Sequence, residues 1–124
     1  MGKGIALQFK NEFPYNFSVY HTACKTKQLQ IGTLLPVKDR SLLLGERLII
    51  NFPTKTHWRL PSEYYYVEQG LLALAHLVEA EQLSIIALPA LGCGNGGLNW
   101  LVVKEMMYKH LQAIDAHFEI YIPS

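Results

Sequence analysis

The chain has 124 residues, half of them apolar, and 11 Lys and Arg against 10 Asp and Glu give a formal net charge of +1. That length suits one domain, 1–124, rather than two, and the near-neutral balance excludes a broad electrostatic grip on DNA or RNA while leaving room for a pocket that reads one nucleotide. The two cysteines, Cys24 and Cys93, show neither metal-ligand nor disulfide-framework spacing and read as free thiols. No apolar run approaches ~20 residues and no signal-peptide pattern opens the sequence, so a cytoplasmic protein with no membrane attachment is expected.

The first residues, Met1 to Lys10, read as a Gly-rich turn opening a short helix that Phe13-Pro14 ends, because a residue before proline is pushed out of the helical region. A second helix is expected from Phe17 to about Gln28, with Val19, Ala23 and Leu29 as its apolar positions. A strand follows near Ile31–Val37, then Lys38-Asp39-Arg40 as a turn, a short strand from Ser41 to Leu44 and another turn at Gly45-Glu46. Arg47–Phe52 is the strongest central-strand candidate, since Leu48, Ile49 and Ile50 form an unbroken apolar run. Pro61-Ser62-Glu63 starts a helix with Ser62 as its cap. It runs to about Ala80, with Val67, Leu71, Leu74, Ala75 and Val78 at helical spacing and Gly70 weakening it slightly.

Ser84–Leu88 is a buried-type strand, Pro89–Gly97 a loop, and Leu98 to about Gln112 a helix with Leu98, Val102 and Met106 on one face. His117–Ile122 closes the chain as an alternating strand. Strand-helix-strand-helix-strand over the second half implies parallel pairing with right-handed crossovers, and ligands in such folds bind at the carboxyl ends of the strands. The two most conspicuous motifs follow the two best strands and so fall on one rim.

The first motif is Gly92-Cys-Gly-Asn-Gly-Gly97, four glycines in six residues. Such a loop lets successive backbone N–H groups form an anion nest, and the helix that follows adds a partial positive charge. It is neither a dinucleotide fingerprint in its usual place nor a phosphate loop of the Gly-Lys-Ser/Thr type. A tight connection without ligand is the alternative. Met1-Gly-Lys-Gly-Ile5 is a second Gly-rich opening, where Lys3 is either a phosphate partner or a solvated terminal lysine.

The third motif is Asn51-Phe-Pro-Thr-Lys55-Thr-His57-Trp58-Arg59, leaving the end of a buried strand. Lys55 could attack an anomeric carbon or hold a phosphate as a point charge. His57 could shuttle a proton, Trp58 could stack on a base or anchor the loop, and Arg59 could make a bidentate phosphate contact. For each one alone, a surface charge or loop anchor is the competing reading. Asn99 caps the next helix or orients substrate, while Trp100 reads as core. Tyr64-Tyr65-Tyr66 reads as packing plus surface before a stacking platform. The five histidines are scattered without His-x-x-x-His, and no metal site is assigned.

These motifs resemble the macrodomain family, and within it the DarG-type antitoxin branch that reverses DNA ADP-ribosylation. The resemblance rests on Met1-Gly-Lys-Gly-Ile-Ala-Leu-Gln-Phe-Lys10, on Ile50-Asn-Phe-Pro-Thr-Lys-x-His-Trp-Arg59, and on Ala87-Leu-Pro-Ala-Leu-Gly-Cys-Gly-Asn-Gly-Gly-Leu98 with Trp100, and covers essentially the whole chain. It implies an α/β fold, a three-layer α/β/α sandwich with a mixed central sheet, here N-terminally shortened. ADP-ribose would lie across the strand ends as ligand or product, with no cofactor. Gly2, Lys3, Gly4 and Ile5 match the loop around the distal ribose and diphosphate. Gly92, Cys93, Gly94, Asn95, Gly96, Gly97 and Leu98 match the second diphosphate loop, with Thr54 as a further contact. Lys55 matches the lysine that acts at ribose C1″, and His57 is the candidate acid or base beside it.

Two departures stand out. Family members usually carry further N-terminal residues that supply the first strands and contacts to adenine and the distal ribose. A related lysine-using branch places a catalytic aspartate in its glycine loop, where this chain has Asn95-Gly96-Gly97. Three readings follow. The first is a glycohydrolase that cleaves the N-glycosidic bond between ADP-ribose and thymine in single-stranded DNA. The others are an ADP-ribose binder without turnover and a remnant with a structural or partner-binding role. The resemblance also implies a cognate ADP-ribosyltransferase toxin as partner, and a homodimer is one way to cover a shortened sheet.

Overall fold

Helix α1, Pro14–Lys25, begins at a proline because the first helical position has an N–H without an intrahelical partner, which proline lacks at no cost. In the computed structural model, which describes residues 11–26, 30–42, 45–56, 60–94 and 96–121, Asn11 and Glu12 are helical and Phe13 is not, so a helix ends at Phe13-Pro14 as expected, and Pro14 opens the next one. The N-cap Phe13 has no side-chain acceptor to offer. The acceptor comes from a strand instead: Asp39 Oδ2 takes the Asn16 N–H at 2.7 Å, placing a carboxylate where the helix dipole favours it.

The described residues fall into two compact units, one of 11–26, 30, 34–42 and 45–52, the other of 31–33, 53–56, 60–94 and 96–121. In the first, α1 packs against an antiparallel hairpin of β1 (Leu35–Ser41) and β2 (Gly45–Asn51), registered from Leu35 opposite Asn51 to Ser41 opposite Gly45. The expected turn at Lys38-Asp39-Arg40 is the middle of β1, and the expected turn at Gly45-Glu46 opens β2. Val37 and Ser41 are buried and Asp39 is half-buried, the period-2 row of one strand face. Two of those three are polar, which hid the strand. Asp39 has its α1 amide, and the Ser41 hydroxyl donates to Glu12 Oε2 at 2.6 Å.

In the second unit, α2 (Tyr64–Ala80) buries Val67, Gly70, Leu71, Leu74 and Val78. Each such leucine or valine contributes about 1.5–3 kcal/mol on burial. The helix ends in a Schellman motif, with Gln82 at φ 52° and Leu83 N donating to Val78 O at 3.0 Å. Strand β3 (Ile85–Leu88) pairs in parallel with β4 (His117–Ile120), and α3 (Trp100–Leu111) is the connecting helix. This is the second half of the strand-helix-strand-helix-strand series expected from the sequence; the first half is not seen among the described residues, where β2 pairs only with β1.

Helices α2 and α3 pack together. The buried stripe of α3 is Val103, Met107 and Leu111, one residue on from the expected Leu98, Val102 and Met106, because the helix starts at Trp100 and Val102 faces outward. Among the described residues no helix is long and apolar enough to cross a membrane.

Candidate functional site

The glycine loop leaves β3 through Leu88, and it closes on itself. Cys93 N donates to Ala90 O at 3.1 Å, Gly97 N to Gly94 O at 3.2 Å and Leu98 N to Gly92 O at 3.0 Å. Gly92 and Gly97 stand at φ +74° and +79°, the left-handed region where a side chain is strained. The amides of Gly92, Gly94 and Gly96 find no acceptor among the described residues. The loop therefore combines an internally fixed backbone with N–H groups that have no acceptor among the described residues.

Ser62 lies against this loop. Its N–H donates to Gly96 O at 3.0 Å, and a Cβ on Gly96 would run into the Ser62 hydroxyl and the Gly92 carbonyl. Ser62 is 5% exposed, and its Oγ has no hydrogen-bond partner among the described residues. The sequence reading made Ser62 the cap of α2, but Glu63 holds the N-cap position and makes no side-chain cap bond. The hydroxyl is turned to the glycine loop instead.

One further contact ties the first turn of α2 to the glycine loop. The Tyr64 hydroxyl accepts the Asn99 N–H at 3.2 Å, at the exit of the glycine loop, and Asn99 caps α3 by accepting from Leu101 N at 2.8 Å. The Glu63 carboxylate, as acceptor, pushes the Tyr66 hydroxyl above its ordinary pKa, and the Thr56 hydroxyl, as donor, pulls it the other way. Ser62 and Tyr64 thus hold the glycine loop at Gly96 and at Asn99.

Thr54 and Lys55 are half-buried. Gly92, Cys93 and Leu98 are half-buried, Gly96 is buried, and Gly94 and Gly97 are exposed. The Cys93 thiol is free, donates to Leu91 O at 3.6 Å, and is pushed up in pKa by burial, which keeps it protonated and a poor nucleophile at neutral pH. Gly2, Lys3, Gly4, Ile5, His57, Trp58, Arg59 and Asn95 lie outside the described residues.

Asn51, which the sequence grouped with Lys55, has a structural partner. It exchanges side-chain hydrogen bonds with Asn16 and donates to Leu35 O at 3.0 Å. The sequence reading missed Ser62 and Tyr64 as supports of the glycine loop. Their only sequence signal was a polar-aromatic start to a helix, which is common. Among the described residues no group of three His, Cys, Asp or Glu could hold a metal ion. A shallow concavity lined by Leu101, Lys104, Glu105, Tyr108 and Lys109 runs along α3 and contains none of the candidate residues.

A parallel strand-helix-strand unit with a braced glycine loop at the strand end defines an α/β protein. The chain belongs to the macrodomain family, whose model matches residues 1–107 under the description "Macro domain". It is similar to the DNA ADP-ribosyl glycohydrolase of Thermus aquaticus, at 50% identity over 115 residues, covering 93% of this chain and 32% of that protein. Among solved structures it resembles the macrodomain of Mycobacterium tuberculosis DarG, with a TM-score of 0.91 and 42% identity, covering 100% of this chain and 82% of that one. It also resembles Thermosipho africanus DarTG in complex with ADP-ribose, with a TM-score of 0.88 and 37% identity, over 98% of this chain and 34% of that one. The fold is thus a macrodomain fold, and the chain spans about a third of the length of the curated relatives it matches.

Proposed function

We propose that the chain binds ADP-ribose and hydrolyses the N-glycosidic bond that joins it to a thymine base in DNA. The observation that carries this reading is the braced glycine loop after β3, held by the Ser62 N–H on Gly96 O and by the Tyr64 hydroxyl on the Asn99 N–H. A loop fixed in this way holds the diphosphate in one place, so that Lys55 meets the same carbon of the bound substrate each time. The similarity to proteins named DNA ADP-ribosyl glycohydrolase and to a DarTG bound to ADP-ribose supports the same substrate class.

In this mechanism the free amides of Gly92, Gly94 and Gly96 hold the diphosphate, with Gly2 to Ile5, Thr54, Cys93, Asn95, Gly97 and Leu98 completing the ligand contacts. Lys55 acts at ribose C1″, either by forming a bond from its neutral amine or by supporting the attack of water. The C1″–N bond breaks and thymine leaves with the electron pair, taking a proton from His57 or water. Water adds at C1″ and gives up a proton; where Lys55 is bonded there, its nitrogen leaves with the electron pair, so that ADP-ribose and unmodified DNA are released. The cognate partner would be an ADP-ribosyltransferase toxin, a reading supported by a relative from Thermosipho africanus named as a fusion of DNA ADP-ribosyl transferase and glycohydrolase.

The test is release of ADP-ribose from a thymidine-modified single-stranded oligonucleotide, comparing the chain with Lys55→Ala. Release should fall by about 10²–10⁴-fold in the variant, the range associated with loss of a catalytic side chain. Equal release by both would remove Lys55 from the chemistry. No release by the unaltered chain, with ADP-ribose still bound in calorimetry, would leave a binding module.

A further inference from the structure

The glycine loop is held at two points by residues that precede or open α2. Gly96 O is fixed by the Ser62 N–H at 3.0 Å, and the Asn99 N–H, where the loop hands over to α3, is fixed by the Tyr64 hydroxyl at 3.2 Å. The second bond is unusual in kind. Asn99 is the N-cap of α3, so its own amide lies outside that helix's ladder and needs an external acceptor. A side chain from a different helix supplies it. Tyr64 is 39% exposed, so its ring is not a core element and its hydroxyl is the part with a defined partner.

We infer that Tyr64 is a positioning residue of the anion site: its hydroxyl sets the exit of the glycine loop and thereby the direction of the loop's free amides. This rests on the functional reading above and extends it to a residue with no expected contact to ligand. Tyr64 touches neither diphosphate nor reacting carbon in this scheme. It acts through Asn99, whose backbone follows Gly97 and Leu98 directly. Removing the hydroxyl leaves the ring, the helix and the buried stripe of α2 in place and frees one end of the loop.

The experiment uses Tyr64→Phe in the full chain with two readouts. Exchange of the Asn99 backbone amide, followed by nuclear magnetic resonance without ligand, should speed up by about 2–10-fold, the weight of one neutral hydrogen bond. The Kd for ADP-ribose, read by calorimetry, should rise by a similar factor. An unchanged Asn99 exchange rate would overturn the proposal, as would faster exchange with an unaltered Kd. If the unaltered chain binds no ADP-ribose, the functional reading fails by itself, and the exchange rate still decides whether Tyr64 holds the loop.

Discussion

Asn16 and Asn51 face each other as a reciprocal amide pair: Asn51 Nδ2 donates to Asn16 Oδ1 at 2.8 Å, and Asn16 Nδ2 donates to Asn51 Oδ1 at 3.3 Å. Both side chains are buried, one on α1 and one at the last position of β2. The pair fixes the helix against the hairpin end from which the Lys55 segment departs in sequence.

Truncating one partner leaves the other buried and unsatisfied. Asn16→Ala or Asn51→Ala should each lower stability by about 1–3 kcal/mol, and the double variant Asn16→Leu/Asn51→Leu should recover part of that loss because no orphan amide remains. Urea midpoints of the four proteins test this. Additive losses in the double variant would mean that the two amides are not each other's main partners.

The alkaline limb of stability should report Tyr20. Burial first, then the charge of Cys24 and a hydrogen bond to it, push the Tyr20 hydroxyl from its ordinary 10.0 up to about 12. Between those values the unfolded chain has lost a proton that the folded chain keeps, so unfolding becomes easier as pH rises. The contribution is intact below pH 10 and lost as pH climbs to about 12. Tyr20→Phe should flatten this decline in denaturant midpoints between those pH values. An unchanged slope would mean that Tyr20 titrates normally.

Much of this was readable from residue pattern. The apolar stripe of α2 at Val67, Leu71, Leu74 and Val78 and the parallel β3–β4 unit follow from periodicity, because burial dictates both. What escaped depends on partners distant in sequence. Lys38-Asp39-Arg40 has the composition of a turn, yet Asp39 is on a strand because an α1 amide 23 residues away needs its carboxylate. Ser62 has the composition of a cap, yet its backbone N–H is committed to Gly96, 34 positions on, and the next residue takes the cap position. The face of α3 was misplaced by one residue because Asn99, not the glycine loop, starts the helix; the onset moved and the stripe moved with it.

The fit between Gly96 and Ser62 gives the last prediction. A methyl group at Gly96 would meet the Ser62 hydroxyl, which could rotate, and also the carbonyl of Gly92, which is held by Leu98 N and cannot move without opening the loop. Gly94 has nothing within 4 Å of such a methyl group. Gly96→Ala should therefore cost about 1–3 kcal/mol of stability by overpacking, while Gly94→Ala carries no steric cost. Ser62→Ala alone removes a buried hydroxyl without a partner and should be neutral or stabilising by about 1 kcal/mol. Combined with Gly96→Ala it should relieve only part of the loss, because the Gly92 carbonyl remains. Urea unfolding of the single and double variants separates these contributions. Full rescue by Ser62→Ala would show that the hydroxyl, and not the backbone of the loop, excludes every residue but glycine at position 96.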